Sequence, residues 1–300
     1  MRRPTACLLA LLTGAMATGR LAAEDPKLAT DAVAEDSPRA AFVWSYLCKG
    51  RPPHRQGDLL TCPCLDASGA PSPEEPAQGG ANVISLYLGS FTAPGRRQAL
   101  VSLGSCGPMN SPAALLVLEE VDGAWRKVSY QPPPEVSVPG PIDLHELSDT
   151  CLSWTPAGGT TRLVCINSVA YFGRAFAPSF GLTVLYAVEP AGGEPSYRDL
   201  LHLADNTQAS CDTMPLRHLA RVAAWHLDGG SANPRLTVKL RTGDKRTTQH
   251  GDTAACRADR PAGAEVTLTF VWNGEAWNPT AESAAERQRL ETIYETLAKP

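Results

Sequence analysis

Apolar and polar residues alternate along VLEEVDGAWRKV (117–128) and again along VTLTFVWNGEAW (266–277). Val117, Glu119 and Val121 share one parity, and Leu116, Leu118 and Glu120 the other. A period of two predicts half-buried β-strands. Each run is broken by a turn dipeptide, Asp122-Gly123 or Asn273-Gly274, and each resumes at a tryptophan, Trp125 or Trp277. Asn, Asp and Gly tolerate the positive φ that a two-residue type I′ turn requires, so both stretches predict tight hairpins.

The segments upstream of the hairpins repeat one another. NVISLYLGSFTAPGRRQALVSLGSC (82–106) reads as strand, Pro94-Gly95 turn, strand. RVAAWHLDGGSANPRLTVKLRTG (221–243) has the same order, with its turn at Asp228-Gly229-Gly230. Between them DTCLSWTPAGGTTRLVCINSVAYF (149–172) turns at Pro156 to Gly159. It is followed by GLTVLYAVEPAGGEPSYRDLL (181–201), with Tyr197 near the tryptophan position. The inner strands align as QALVSL, TRLVCI and PRLTVK. The prediction is an all-β chain of three degenerate four-stranded antiparallel meander repeats, at 82–131, 142–205 and 206–282.

Such units bury their faces against their neighbours, as blades of a β-propeller or as layers of a sandwich. LGSFTAPGRRQALVSL (88–103) and AWHLDGGSANPRLTVKL (224–240) give the chain a resemblance to FG-GAP/VCBS blade repeats. The resemblance implies a propeller-like fold with calcium-binding turns, for which only Asp228 and Asn233 of the third copy remain as ligands. Three blades are fewer than a closed propeller normally needs, so an open arc is the alternative to a sandwich.

Helices are expected at the two ends. Ser37 as N-cap and Pro38 at the first helical position predict a short helix to Gly50, with Phe42, Val43, Tyr46 and Leu47 as its apolar stripe. Ser283 and Glu286 form a capping box for a helix over 283–299, with Leu290, Ile293, Tyr294 and Leu297 on one face. Both helices are expected to cover exposed sheet edges or surfaces. DLLTCPCL (58–65) is expected as an extra strand within a cysteine-containing segment, 51–81, whose end, DASGAPSPEEPAQGGA (66–81), reads as a linker. QPPPEVSVPGP (131–141) predicts an extended connection, and 242–264 a polar loop.

The first residues, MRRPTACLLALLTGAMA, have the basic start, short apolar core and Ala15-Met16-Ala17 site of an export signal at 1–17, followed by a flexible 18–36. Removing 1–17 takes away Arg2, Arg3 and no acid, so the formal charge moves from −4 to −6. A mildly acidic chain offers no electrostatic footprint for nucleic acid, and no stretch is apolar enough to span a bilayer.

Eight of the nine cysteines remain after that removal: Cys48, Cys62, Cys64, Cys106, Cys151, Cys165, Cys211 and Cys256. An even count behind an export signal predicts disulfides in an oxidising compartment, periplasmic or extracellular. Cys151 and Cys165 sit symmetrically about the Pro156–Gly159 turn and are expected to bond, and Cys211 and Cys256 flank the third copy in the same nested way. Cys62 and Cys64 share a strand face, so one is expected to pair with Cys48 and the other with Cys106. His54 lies among Cys48, Cys62 and Cys64, but CxC with a long gap is not zinc spacing, so no metal is expected there.

Candidate catalytic chemistry is sparse. His218 and His226 are about 26 Å apart on an extended strand and cannot share a metal. His226 and Asp228 lie about 7 Å apart on one face and are close enough to act as a polar pair. LGSCGP (103–108) lacks the spacing of a nucleophile elbow, so Ser105 and Cys106 read as turn and disulfide residues. Adjacent acids, Glu119-Glu120 and Glu74-Glu75, cannot work together from opposite strand faces. Trp125, Trp154, Trp225, Trp272 and Trp277 are expected mostly as core, with a sugar platform as the functional alternative. The sequence points to an exported, non-catalytic binding or scaffold protein that recognises a protein or glycan through loops 66–81, 173–180 and 242–264. The alternative is a secreted hydrolase using His226, Asp228 or His250.

Overall fold

The structure is a computed structural model that describes residues 37–57, 59–72, 80–104, 113–132, 151–171, 180–205, 216–230, 233–245 and 264–298. Its centre is three four-stranded antiparallel meanders. The first sheet contains β3 (Asn82–Gly89), β4 (Gln98–Gly104), β5 (Ala114–Val121) and β6 (Ala124–Gln131). The middle sheet contains β7 (Leu152–Trp154), β8 (Arg162–Tyr171), β9 (Phe180–Ala191) and β10 (Glu194–Asp205). The third contains β11 (Leu216–Asp228), β12 (Arg235–Lys245), β13 (Glu265–Trp272) and β14 (Trp277–Pro279). In each sheet the spatial order is the chain order, so the repeats read from the sequence are the sheets of the fold.

The sheets stack face to face. Tyr87, Leu100, Leu115 and Val117 of the first sheet pack against Leu163, Cys165, Val184, Tyr186 and Val188 of the middle sheet. The opposite parity of the middle sheet, Leu152, Val164, Leu185 and Ala187, packs against Leu236, Val238, Leu268 and Phe270 of the third. Strands in such a stack are apolar on both faces, and every residue of β4 is buried. Half-burial, expected from the alternation in 117–128, is therefore corrected for β5, where Leu116 and Val117 are both buried. The far face of the first sheet is closed by α1 (Ala41–Leu47), through Val43, Trp44 and Leu47, and by the Cys48–Cys62 bridge. The far face of the third sheet carries His226, Asp228, Arg235, Lys239, Arg241 and Thr267, all exposed. The stack is thus an open series of three layers with a polar end face, as terminal units of repeat arrays require.

Turn chemistry explains the registers. Asp122 and Gly123 have φ of 53° and 77°, and the pairing closes at Val121 and Ala124, a two-residue hairpin. A second such turn joins Ala191 to Glu194 through Gly192 and Gly193. Replacing Gly123 with alanine is expected to cost about 1 kcal/mol, because a Cβ is disfavoured at positive φ; urea unfolding of the variant checks this. Asn273-Gly274 departs from the two-residue expectation. The pairing closes at Trp272 and Trp277, which leaves a four-residue loop. Asn273 Oδ1 accepts the Glu275 and Ala276 N–H groups at 3.0 and 2.8 Å, so the side chain shapes the turn.

Three other expectations need correction. A 3₁₀ turn (Pro38–Ala40) precedes α1, and Ser37 makes no side-chain cap. DLLTCPCL does supply the expected extra strand, in a small sheet of its own. β2 (Leu59–Thr61) pairs only with β1 (His54–Gln56), and Cys62 then bridges to Ala81. The first part of 66–81 is a shaped turn rather than a linker, because Asp66 Oδ1 accepts Ser68 N, Ser68 Oγ and Ala70 N. The C-terminal helix, α2 (Ala281–Ala298), starts before the expected capping box. Ser283 is buried and its Oγ accepts Thr269 N at 2.9 Å, so it ties the helix to β13, while Glu286 bonds Arg289. No described helix is long and apolar enough to cross a membrane.

Candidate functional site

Two polar constellations stand out from this frame. The first is built where the middle sheet meets the third. Trp154 on β7 pairs with Arg162 on β8, and the Leu163–Val188 register sets Arg162 beside Glu189 on β9. The Arg162 guanidinium lies 3.9 Å from Glu189 Oε1, and Arg198 Nε on β10 lies 3.3 Å from Glu189 Oε2. Across the seam Arg162 sits 4.3 Å over the Trp272 ring, a cation–π contact. Trp154, Trp272 and Trp277 meet edge to face, with centroids 5.1 to 5.9 Å apart. Burial raises the Glu189 pKa, and the charges of Arg198 and Arg162 only partly offset it. Burial likewise lowers that of Arg162, against the pull of Glu189. Trp154 Nε1, Trp277 Nε1, Arg162 Nε and Glu189 Oε1 are buried with no hydrogen-bond partner among the described residues.

The same register in the first sheet carries Gln98 and Glu119, paired across β4 and β5. There the groups are fully engaged. Gln98 Nε2 donates to Glu119 at 2.7 Å and to Thr92 Oγ1 at 2.6 Å, and its Oε1 accepts Thr92 N at 2.8 Å. A polar pair facing the next sheet is therefore a repeated feature of the first two units. The third has Arg235 opposite Val271 on its open face.

The second constellation holds α2 on β10, the edge strand of the middle sheet. A register shift between Asp199 and Leu201 leaves Leu200 unpaired with β9. Arg287 Nε donates to Leu200 O at 2.9 Å, and Glu291 Oε1 accepts His202 N at 3.0 Å. Helix side chains thus satisfy edge backbone that no strand reaches. The His202 ring lies between Glu291 Oε2 at 3.1 Å and Asp199 Oδ2 at 3.2 Å, with Tyr294 stacked at 4.8 Å. Burial works against a charged imidazole, but the bonds to Asp199 and Glu291 outweigh it and lift its pKa from 6.5 to about 9.

No protein family, curated protein or solved structure matches this chain.

The sequence-derived candidates fall elsewhere. His226 and Asp228 do share one face of β11, as their parity predicts, but it is the exposed outer face and no hydrogen bond joins them. Asp228 Oδ1 instead accepts Gly230 N at 3.3 Å, the turn role. His250, Cys106, Cys211 and Cys256 lie outside the described residues, as do 1–36 and most of 131–141, 173–180 and 246–263. Cys151 and Cys165 are bonded across β7 and β8, with Cα atoms 4.1 Å apart. Cys48 bonds Cys62, and Cys64 is also disulfide-bonded. Cys64 belongs to no strand, so the shared strand face expected for it and Cys62 is not formed. Oxidised cysteines are consistent with an oxidising compartment. Among the described residues no group of His, Cys, Asp and Glu could hold a metal ion.

Sequence reasoning missed Arg162, Glu189, Asp199, His202 and Glu291. Glu189 had a usable signal. It continues the parity of Leu185 and Ala187 at the end of an apolar run, which marks an inward-facing carboxylate. His202 and Glu291 are 89 residues apart and no local pattern links them.

Proposed function

We propose that this chain is an exported, non-catalytic binding or scaffold protein of the periplasm or cell exterior, recognising a protein or glycan through the loops 66–81, 173–180 and 242–264. The observation that carries the reading is where the charged groups are used. Arg162 lies over the Trp272 ring between the middle and third sheets, and His202, Arg287 and Glu291 are engaged between helix and sheet edge, in contacts that hold the fold together. Disulfides at Cys48–Cys62 and Cys151–Cys165 support residence in an oxidising compartment. Stacked meanders also support a relationship to FG-GAP/VCBS blades, with an arc of three units in place of a closed ring.

Expression of the full chain in a Gram-negative host tests export. The expected result is a periplasmic protein beginning at Thr18 by mass spectrometry, and a cytoplasmic chain that keeps residues 1–17 would refute it. Binding is tested by pull-down from periplasmic and envelope fractions, with and without replacement of 246–263 by a short Gly-Ser loop. Loss of the partner on replacement is the expected outcome. Calcium is expected to leave the melting temperature unchanged, because the Asp228 carboxylate is already turned to Gly230 N–H.

A further inference from the structure

The outer face of the third sheet is basic in a chain that is acidic overall, with a formal charge of −4. The register sets Arg221, Arg241 and Glu265 in one row across β11, β12 and β13. Lys239 and Arg235 follow on β12 with the parity of Arg241, opposite to that of Leu236, Val238 and Leu240, which are buried against the middle sheet. Asp228 lies across from Arg235. Both acids are already engaged, Glu265 at 3.5 Å from Arg241 and Asp228 with the Gly230 N–H. Arg221, Arg235 and Lys239 form no ion pair among the described residues. A face that serves solubility alone intersperses both signs, and like charges directly opposite each other on a sheet are destabilising. Arg221 stands directly opposite Arg241, and solubility gives no reason for that pair.

We propose that this face binds a linear anionic polysaccharide, a sugar polymer with carboxylates repeated along it. Arg241, Lys239 and Arg235 lie along one strand, about 7 and 13 Å apart in turn. A regularly charged polymer meets all of them at once, so ion pairs that are weak singly add along its length. Thr237, Thr267 and Thr269 share the face and present hydroxyls, which donate and accept hydrogen bonds as sugar hydroxyls do. Protein interfaces centre on aromatic anchors. Here Trp225, Phe270 and Trp272 all have the inner parity and belong to the core, so the face fits a polar, charged chain better than a protein surface. The lack of an outward apolar row likewise gives a membrane nothing to take up. The face is built from strands and is distinct from the loops invoked for partner recognition. A negative loop-replacement result therefore leaves it standing.

Titration of the purified full chain with polygalacturonate, read by calorimetry at low and high salt, tests the face. Saturable binding is expected at low salt, weakening as salt is added because exposed charges are screened, with no response to neutral dextran. The double variant Arg221→Gln, Lys239→Gln is expected to bind roughly tenfold more weakly, the loss of two exposed ion pairs. Its melting temperature should not fall, because Arg241 no longer faces a like charge, which separates lost binding from lost fold. The double variant Arg55→Gln, Arg126→Gln removes the same charge from exposed positions outside the third sheet and should leave the affinity unchanged. No saturable response from the folded wild type would overturn the proposal. So would equal weakening by the two double variants, or full affinity in the first. Tighter binding to poly-glutamate, duplex DNA or phosphatidylglycerol vesicles than to polygalacturonate would overturn it as well.

Discussion

Replacing Cys151 and Cys165 together with alanine is expected to cost about 3 kcal/mol of stability, the loop-entropy value for a closed loop of this size. Cys48–Cys62 spans the same sequence separation, 14 residues, so chain entropy alone assigns both bridges the same loss. Their surroundings differ. Cys151 and Cys165 lie fully buried in the core between the first and middle sheets, whereas Cys48 and Cys62, also buried, tie α1 to the end of β2 in the cluster that covers the outer face of the first sheet. Both removals take atoms from a packed interior, and the cavity term is larger for the inner pair, which is enclosed between two sheets. The inner double variant should therefore be the less stable of the two in urea unfolding. Equal midpoints would mean that entropy of the unfolded chain accounts for both bridges. A Cys151→Ala, Cys165→Ala protein as stable as wild type would show that the bridge does not staple the middle sheet.

How much of this was legible depends on the range of the interaction. Asp122-Gly123 set its hairpin through its own backbone preference, so the sequence was sufficient. Cys151 and Cys165 were readable because a turn brings equidistant positions together. Burial was less legible. β4 and β5 alternate or run apolar much as half-buried strands do, and only the stacking of a second sheet makes both faces interior. Ser283 and Glu286 had the spacing of a capping box, yet Ser283 was taken by Thr269 of β13, a tertiary partner that outcompeted the local motif. His226 and Asp228 shared a face as parity requires, but parity does not say which face meets water. The polar groups that matter most in the fold, Glu189 and His202, depend on sheet order and on a helix that returns from the end of the chain.

The helix–edge contact yields the sharpest pH prediction. His202 has a pKa of about 9 in the folded chain against 6.5 for the ordinary side chain. A folded-state value above the unfolded one means that folding favours the protonated ring. Its contribution is therefore complete below about pH 6.5 and is lost as pH rises through 9. A quarter of the side chain is in water, 24% by exposure, so screening reduces the effect to about 1–2 kcal/mol. Asp199 and Glu291 face the ring as anions, and Arg287 and Tyr294 complete its surroundings from α2. The melting temperature should therefore fall between pH 7 and 10. His202→Gln should lower stability at pH 7 and converge on wild type at pH 10. Glu291→Gln should do both in part, because Asp199 still holds the ring. Hydrogen exchange should show the same trend locally, with α2 and the His202 amide losing protection at high pH before the inner strands β4 and β9. A wild-type minus His202→Gln difference that is flat from pH 7 to 10 would mean that the charge on the ring plays no part in fastening α2 to the edge of the middle sheet.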